Sequence, residues 1–405
     1  MKEVGEAKTI SERLDFLGDN THKEEGIWRA AYTPEFRKGA DFVKTWMKQA
    51  GMEVYEDAVG NVFGRIQGEE SGVIMTGSHL DTVKNGGKYD GAAGVITGIE
   101  AISQLIKIHG KPKKTIEVIG MIEEEGSRFG SAYLGSRFMT GKIDGAGLEE
   151  KDVEGITLRA AMQDAGYNPE NFKKAERKDI EAFIELHIEQ GPRLEAMGKE
   201  IGVLTSIVGL SAYDITICGK QNHAGTTPMD MRVDPMVAAA EFILEMTDFT
   251  EKASESAVFT VGKLSAKPGM TNVIAGSVEL GVDFRDGVDG ALDDIDRKLH
   301  EVTDKLEKQG FNIELIKRCR EEAVRLDPTV VETIEAAAKE LGTDYIKMNS
   351  GAGHDSQIIA LKVPTGMIFV PSRQGISHSP EEFTCDEDLK RGAAVLREAL
   401  YKLAY

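Results

Sequence analysis

The sequence predicts an α/β fold with a central mixed sheet, interrupted by an inserted ferredoxin-like domain. Over residues 1–209, short apolar runs typical of buried strands alternate with amphipathic helical stretches, as in an α/β sheet. From 210 to 325 the order changes to strand, helix, strand, strand, helix, strand, which is the βαββαβ unit. The first alternation resumes over 326–405. We therefore expect a discontinuous first domain (1–209 and 326–405) and an inserted second domain (210–325).

The first segment begins with the clearest helix. Thr33 can cap a helix over 33–50, Pro34 fits its first turn, and one apolar stripe runs along it to Gly51. The other elements predicted up to residue 209 are strands near 54 and at 62–66, 73–76, 115–119, 180–188 and 201–208, and helices at 93–108, 131–139 and 157–165.

The inserted and final segments complete the fold. Asp234 and Asp289 are the expected N-caps of the two inserted helices, and Gly310 stops the second. The predicted elements are strands at 213–217, 257–265, 277–285 and 311–318 with helices at 235–247 and 289–309, then a helix from Asp327 to Gly342, strands at 345–348 and 367–370, and a last helix at 386–403.

Composition limits the compartment and the partners. The 405 residues carry 49 Lys and Arg against 68 Asp and Glu, a net charge of −19 that is spread along the chain and disfavours nucleic acid or an anionic membrane. Cys218, Cys319 and Cys385 are few and far apart, which suits reduced thiols. The first residues lack the apolar core of a signal peptide, and no apolar run approaches the ~20 residues that span a bilayer. We expect a soluble, cytoplasmic protein.

The most informative stretch follows the strand at 73–76 and reads GSHLDTVKNGGKYDGAAG. His79 stands at the end of that strand as a candidate metal ligand. Asp81 is placed to hydrogen-bond the ring nitrogen of His79 that faces away from a metal. Asp90 lies among glycines, where a missing Cβ lets backbone and ion approach closely. From this stretch alone, a chance His and Asp in a glycine-rich turn is an equally good interpretation.

Further donors follow other predicted strands. His187 belongs to the strand at 180–188, and His378 lies in a Gly/Ser/Pro-rich loop. Because ligands of α/β sheets lie beyond the carboxyl ends of the strands, we expect these residues to meet His79 in one crevice. Three imidazoles with at least two carboxylates suit zinc or a neighbouring ion and exceed one tetrahedral site, so we infer two metals bridged by Asp90. His354, in a Gly-flanked loop, is an alternative ligand.

The run Glu123-Glu124-Glu125 follows the strand at 115–119. Adjacent acids are usually a solvated turn. A two-metal site, however, needs one carboxylate that does not bind metal but takes the proton of the activated water. We assign Glu124 as this base and Glu125 as a metal ligand.

The inserted domain carries a second set of polar residues. His223 lies in NHAGTTP, where an imidazole could stabilise a developing oxyanion, and Asn272 follows Gly-Met-Thr. Arg285 ends a strand and could bind a carboxylate through its planar fork. An ion pair of Arg285 with Asp283 or Asp286 is an equally good interpretation.

A series of motifs spanning nearly the whole chain resembles the dimetal amidohydrolases related to aminoacylases and dimeric carboxypeptidases. The motifs are GSHLDTV, DGAAGV, EEEGSRF, ELHIEQGP, NHAGTTPM, DFRD, SGAGHDS and ISHSPEE. HIEQGP and NHAGTTPM favour the hydantoinase/carbamoylase branch, which contains N-carbamoyl-L-amino-acid hydrolases, β-ureidopropionases and allantoate amidohydrolases. The resemblance implies a metallopeptidase-like catalytic domain and an inserted lid and dimerisation domain, hence a homodimer.

The same resemblance implies a role for individual residues. One divalent metal would be held by His79 and His187 and the other by Glu125 and His378, with Asp90 bridging and Glu124 as general base. The metals would be zinc, with manganese, cobalt or nickel as alternatives. The residues implied to contact a small carboxylate-bearing carbamoyl or ureido substrate are Gln190, His223, Asn272, Arg285 and Gly353. Whether His223 serves its own or the neighbouring subunit stays open.

The choice of substrate within the branch depends on one local difference. Members that act on allantoate carry an arginine just ahead of the second-domain strand, where this chain has Ser211-Ala212-Tyr213. This favours an N-carbamoyl-L-amino acid and leaves allantoate and β-ureidopropionate as alternatives. A non-hydrolytic binding protein is disfavoured because every proposed ligand and the base are present. Nucleotide binding at 91–98 is disfavoured because the glycines lack GxGxxG spacing.

Overall fold

The computed structural model describes residues 4–23, 26–288 and 290–405. The chain divides into two compact units. Unit 1 consists of Met1–Thr205, Arg325–Met348 and His354–Tyr405, and unit 2 consists of Ser206–Val324 and Asn349–Gly353. The predicted helix cap Asp289 lies outside the described residues.

The strands of the described chain, numbered in order, are β1 (His22–Lys23), β2 (Gly26–Ile27), β3 (Glu53–Glu56), β4 (Val62–Ile66), β5 (Val73–His79), β6 (Thr115–Met121), β7 (Ile180–Ile188), β8 (Ile201–Ile207), β9 (Gly209–Cys218), β10 (Asn222–His223), β11 (Val258–Lys267), β12 (Val273–Ile274), β13 (Ser277–Asp286), β14 (Asn312–Glu321), β15 (Val324–Arg325), β16 (Tyr345–Ser350) and β17 (Thr365–Val370). The α-helices are α1 (Ile10–Thr21), α2 (Pro34–Gln49), α3 (Ala92–His109), α4 (Leu134–Met139), α5 (Leu158–Asp164), α6 (Arg193–Met197), α7 (Pro235–Ala253), α8 (Ala291–Lys308), α9 (Pro328–Glu340), α10 (Asp355–Ile359) and α11 (Asp386–Ala404). Short 3₁₀ helices lie at Val4–Glu6, Gly147–Glu149, Pro169–Ala175, Met229–Met231 and Arg373–Gly375.

A mixed sheet forms the centre of unit 1. Its strand order is β15-β8-β17-β7-β5-β6-β4-β3, and β16 pairs with β8. β17, β7, β5 and β6 pair in parallel, whereas β8, β4 and β3 join antiparallel. Every residue of β5 and β6 is buried, as expected for parallel strands covered on both faces. The predicted α/β class with a central mixed sheet is confirmed.

Unit 2 contains a four-stranded antiparallel sheet of order β11-β13-β9-β14. The helices α7 and α8 bury Phe242, Met246 and Leu299 against it. The chain order of these elements is βαββαβ, which is the ferredoxin-like arrangement predicted from the sequence.

Several element boundaries differ from the prediction for local reasons. The helix expected over 131–139 begins only at Leu134, because Tyr133 adopts a left-handed φ of 63° that a helix cannot contain. The strand expected at 213–217 begins at Gly209, so Ser211-Ala212-Tyr213 lies inside a strand rather than ahead of it. α1 was not predicted, although Thr9 and Glu12 form a capping box at its start.

The helices of the described chain can be compared with the length and apolar character that a membrane span requires. None of these helices is long and apolar enough to cross a membrane. The cytoplasmic location stays a prediction.

Candidate active site

Three neighbouring parallel strands deliver the central residues of the site. β5 ends at His79, which pairs in register with Met121 at the end of β6, and the acidic run follows directly. β7 lies on the other side of β5 and carries His187 near its end. Because the strands are parallel, their carboxyl ends meet at one edge of the sheet. The loop carrying His378 reaches the same place, as the distances around Asp90 show.

Asp90 is the centre of this cluster. Its Oδ1 lies 3.4 Å from His79 Nε2 and 3.1 Å from His187 Nε2. Its Oδ2 lies 3.2 Å from His378 Nε2, which in turn is 3.6 Å from Glu125 Oε2. The two oxygens of one carboxylate therefore face two different sets of donor atoms.

The donor atoms fall into three overlapping groups, each spanning no more than 4.8 Å: His79, Asp90 and His187; His79, Glu124 and Glu125; and Asp90, Glu125 and His378. His354, the alternative ligand, belongs to none of these groups of described residues. It is buried with its ring centroid 4.6 Å from that of His187. Burial, with the adjacent His187, holds the pKa of His354 well below its usual value.

The backbone near the cluster adopts conformations that only tight constraint maintains. Gly91 has a φ of 62°, and a Cβ there would lie 2.5 Å from the ring of His79. His378, Gln190 and Glu123 have left-handed φ values of 53°, 57° and 53°. Such residues cost free energy and tend to gather where a site must hold side chains in fixed directions.

The donor set fits divalent metal ions on electrostatic grounds. Burial raises the pKa of Glu124 well above its usual value and that of Glu125 to about 7. Glu125 Oε1 is buried with no hydrogen-bond partner in the described part of the chain. Burial also disfavours ionised Asp90, but hydrogen bonds from His187, His378 and His79 outweigh it and hold the pKa of Asp90 well below its usual value. Concentrated carboxylates with an open oxygen are what divalent cations bind.

The inner ring nitrogens of both buried histidines are held by main-chain oxygens. His79 Nδ1 lies 3.0 Å from the carbonyl oxygen of Asp81, and His187 Nδ1 lies 2.8 Å from that of Ile188. A proton on Nδ1 leaves Nε2 as the metal-binding atom on each ring. These Nε2 atoms are the ones that approach Asp90.

The sequence prediction for Asp81 requires a correction. Its carboxylate is 3.6 Å from His79 Nδ1, beyond hydrogen-bond distance, and only its main-chain oxygen makes the contact. Its side chain instead accepts hydrogen bonds from the backbone N–H groups of Glu124 (3.0 Å) and Glu125 (3.1 Å). These two amide groups after β6 are closer to the carboxylate than the ring nitrogen of His79 is. Asp81 therefore positions the acidic run as well as His79.

The three consecutive acids face different surroundings. Glu123 Oε1 accepts hydrogen bonds from the backbone N–H groups of Arg128 (2.7 Å) and Phe129 (2.9 Å), so this residue holds the loop. Glu124 is 6% exposed, and its Oε2 lies 3.8 Å from His79 Nε2. The third acid faces His378. The run is thus no solvated turn.

Sequence reasoning missed several buried charges behind the cluster. Glu185 in β7 accepts hydrogen bonds from Ser78 Oγ (2.7 Å) and from Ser356 Oγ (2.6 Å) and N (3.1 Å). A carboxylate between Ile184 and Leu186, two residues before His187 in a predicted buried strand, was the signal that could have found it. Arg29 is fully buried, and its Nε donates to Leu80 O at 2.7 Å. Burial lowers the pKa of Arg29 to about 10, so the side chain remains a cation beside the acids.

The predicted substrate contact Gln190 lies at the cluster itself. Its Nε2 donates to Asp90 Oδ2 at 2.9 Å and lies 3.3 Å from Ser377 Oγ. His378 is the most exposed proposed ligand, with 52% of its side chain accessible. Glu382, four residues further on, was not singled out from the sequence, because nothing in the residue types distinguishes it from Glu381.

Within unit 2, the structure brings His223 and Asn272 together. β10 pairs with β12, and the backbone N–H of Ala224 donates to Asn272 O at 3.1 Å. His223 Nδ1 accepts from Gly225 N at 3.0 Å, so the proton of the neutral ring is on the exposed Nε2. The imidazole is therefore prepared to donate a hydrogen bond.

Arg285 has partners within unit 2. Its Nε donates to Asp283 Oδ1 at 3.0 Å, and its Nη1 donates to Gly351 O at 3.1 Å. The ion pair considered in the sequence analysis therefore exists with Asp283. Asp286 instead accepts hydrogen bonds from Ser254. Gly353 is half-buried.

Comparison with known proteins gives consistent results. A family model described as peptidase family M20/M25/M40 matches residues 75–402. Allantoate amidohydrolase of Bacillus subtilis (strain 168) is 40% identical over 402 residues, covering 98% of both chains. N-carbamoyl-L-amino acid amidohydrolase of Geobacillus stearothermophilus is 40% identical over 407 residues, covering 98% of this chain and 99% of the relative. A crystal structure of a hydantoinase/carbamoylase-family amidase from Burkholderia multivorans matches with a TM-score of 0.91 and 34% identity, over 99% of this chain and 98% of that one.

Proposed function

Since this chain belongs to peptidase family M20/M25/M40, in its hydantoinase/carbamoylase branch, and is an amidohydrolase acting on C–N bonds of linear amides, we propose that it hydrolyses N-carbamoyl-L-amino acids. The products are the amino acid, ammonia and carbon dioxide. The reaction would use two divalent ions, with zinc proposed as the native metal.

The observation that carries this proposal is that the two carboxylate oxygens of Asp90 face different sets of donor atoms. Its Oδ1 approaches His79 and His187, whereas its Oδ2 approaches His378. One carboxylate between two donor sets is the arrangement that a bridged pair of ions requires. Glu124, which lies with His79 and Glu125 in the second group of donor atoms, is a buried carboxylate that we assign to proton transfer rather than to a metal.

Glu124, Asp81 and His223 would each have a separate role in the hydrolysis. Bound metals supply Lewis acidity, which lowers the pKa of a water toward ~7 and polarises the substrate carbonyl. Glu124 takes the proton of the attacking water and passes it to the leaving nitrogen. Asp81 holds the backbone of Glu124 by a 3.0 Å hydrogen bond, which fixes where the base stands. His223 would donate a hydrogen bond from its Nε2–H group to the oxyanion that develops on the carbonyl.

Arg285 is proposed to bind the substrate carboxylate. Two of its nitrogens already contact Asp283 and Gly351, and these contacts restrict the orientation of the guanidinium plane. A restricted guanidinium loses less entropy when it binds a carboxylate. Gln190, Asn272 and Gly353 are proposed as further substrate contacts.

Allantoate is the second candidate substrate. The Bacillus subtilis relative named allantoate amidohydrolase is as similar to this chain as the Geobacillus relative named N-carbamoyl-L-amino acid amidohydrolase, at 40% identity each. We favour the carbamoyl amino acid because this chain has Ser211-Ala212-Tyr213 where the resemblance implies an arginine in members that act on allantoate.

Ammonia release from a substrate panel tests this assignment. N-carbamoyl-L-amino acids, β-ureidopropionate and allantoate are each incubated with metal-stripped enzyme to which zinc, manganese, cobalt or nickel is returned. We expect the highest kcat/KM with an N-carbamoyl-L-amino acid, no turnover with the D-enantiomer, and loss of activity with a chelator. Preference for allantoate would establish the second candidate instead.

We also propose that the chain forms a homodimer through unit 2, which would act as a lid. The solvent-facing side of α7 exposes Met236, Val237 and Leu244. Leu244→Glu should reduce the mass measured by light scattering from dimer to monomer, because a buried charge is costly at such an interface. Leu361→Glu, an equally drastic change at an exposed apolar position of unit 1, is the matched control. An unchanged mass for Leu244→Glu would count against this interface.

A further inference from the structure

Glu382 joins the loop that carries Asp90, the proposed bridging ligand, to the loop that carries His378. Its Oε1 accepts hydrogen bonds from the backbone N–H groups of Tyr89 (2.9 Å) and Asp90 (3.0 Å). Its Oε2 accepts from Ser377 Oγ at 2.8 Å. Ser377 immediately precedes His378, so one carboxylate contacts the backbone of one ligand and the neighbour of another.

The contacts close into a ring. Ser377 Oγ also lies 3.4 Å from Asp90 Oδ2, the same oxygen that is 3.2 Å from His378 Nε2. Glu382 therefore contacts the backbone of Asp90 directly and is connected to its side chain through Ser377. Glu382 helps to set the position of the bridging carboxylate relative to His378, together with Gln190 Nε2, which donates to Asp90 Oδ2 at 2.9 Å.

Glu382 occupies a buried position next to Gly87. The residue is only 4% exposed. A Cβ on Gly87 would lie 2.3 Å from Glu382 Oε1 and 2.5 Å from its Cβ, so the glycine makes the room that the carboxylate occupies. A buried carboxylate is costly unless hydrogen bonds compensate it, and here three donors do so.

We propose that Glu382 is a positioning residue for the metal pair, holding Asp90 and His378 at the separation that lets one carboxylate serve both ions. The inference rests on the proposed function. Glu382 touches neither the ions nor the substrate and acts through these two ligands. Residues that orient ligands in this way typically change metal affinity 10–100-fold when removed.

Metal binding by the full-length chain tests this role. Metal-stripped wild type, Glu382→Ala and the control Glu381→Ala are titrated with Co²⁺, and binding is followed by visible absorption and calorimetry. Glu381 is the exposed neighbour, so its removal deletes the same group without touching the ring of contacts. We expect two ions in wild type and in Glu381→Ala, and at least tenfold weaker binding of one ion in Glu382→Ala, with an altered cobalt spectrum.

The thermal midpoint of each metal-free protein separates positioning from simple stabilisation. A lower midpoint for Glu382→Ala with cobalt affinity and spectrum as in wild type would overturn the proposal. Failure of wild type to bind two ions would instead overturn the proposed metal pair. Should Glu382→Ala not fold, Gly87→Ala displaces the carboxylate from the opposite loop, and the same loss of affinity is expected. Wild-type affinity in that variant would equally contradict the role.

Discussion

Replacement of Glu124 by glutamine separates metal binding from proton transfer. The amide has nearly the size and shape of the carboxylate, and Glu124 is buried at 6% exposure, so the cavity around it should not change. His79 keeps its Nδ1 contact with Asp81 O, and Glu125 keeps its backbone hydrogen bond to Asp81. The donor groups of both proposed ions therefore remain in Glu124→Gln.

The expected loss follows from what the side chain can no longer do. An amide cannot accept the proton of the attacking water, and general base catalysis contributes about 10²- to 10⁴-fold. We therefore expect kcat to fall by that factor, which equals about 3–5 kcal/mol of activation free energy. The KM should change little, because Glu124 is assigned no contact with the ground-state substrate.

Steady-state kinetics with a carbamoyl amino acid, together with metal analysis of the same sample, measures both quantities. Glu123→Gln is the matched control, because Glu123 Oε1 accepts from backbone N–H groups of Arg128 and Phe129, a contact that an amide oxygen can also make. The control should keep kcat within a few-fold. Two bound metals and wild-type turnover in Glu124→Gln would refute the assignment of the base.

Other expectations concern binding, metals and pH. Arg285→Lys should raise KM about tenfold or more for substrates with an α-carboxylate, since lysine lacks the bidentate fork; an equal effect on a substrate without that carboxylate would argue against the anchor. Asp90→Asn should weaken both ions at once in a metal titration, and loss of only one would contradict a bridge. Burial raises the pKa of Glu125 to about 7 and that of Asp355 to about 8, so these two carboxyl groups bind more protons in the metal-free folded chain than in the unfolded chain above pH ~4, whereas His354, whose pKa is lowered by burial, binds fewer below pH ~6.5. The thermal midpoint of the metal-free chain should therefore fall as pH rises from about 6.5 to 8, where the shift of His354 no longer acts, and a midpoint that rises over that range would contradict this charge assignment.

Much of the candidate site could be predicted because its histidines and carboxylates follow predicted strands, whose carboxyl ends meet at one edge of the sheet. His79, at the end of an apolar run and before a glycine-rich loop, is distinctive from residue type and position alone. The side-chain partners of Asp81 were not predictable in this way. The sequence places the carboxylate of Asp81 near His79. Only the fold shows that this carboxylate accepts hydrogen bonds from the backbone N–H groups of Glu124 and Glu125 instead.

Glu382 and Arg285 illustrate the other limit. Two adjacent acids in a loop look alike until the fold buries one of them, and the difference between Glu381 and Glu382 is a tertiary property. The two interpretations of Arg285 were equal in the sequence, and the contact with Asp283 is visible only when β13 is formed. Boundaries with a strong cap were predicted well, as for α2 with Thr33, whereas the shortened start of α4 depends on the left-handed Tyr133.

Anomalous diffraction from crystals grown with zinc tests the central claim most directly. The claim predicts two peaks about 3.5–4 Å apart, with one oxygen of Asp90 directed at each. His79 and His187 should bind the first ion, and Glu125 and His378 the second. A single peak, or two peaks without Asp90 between them, would contradict the account.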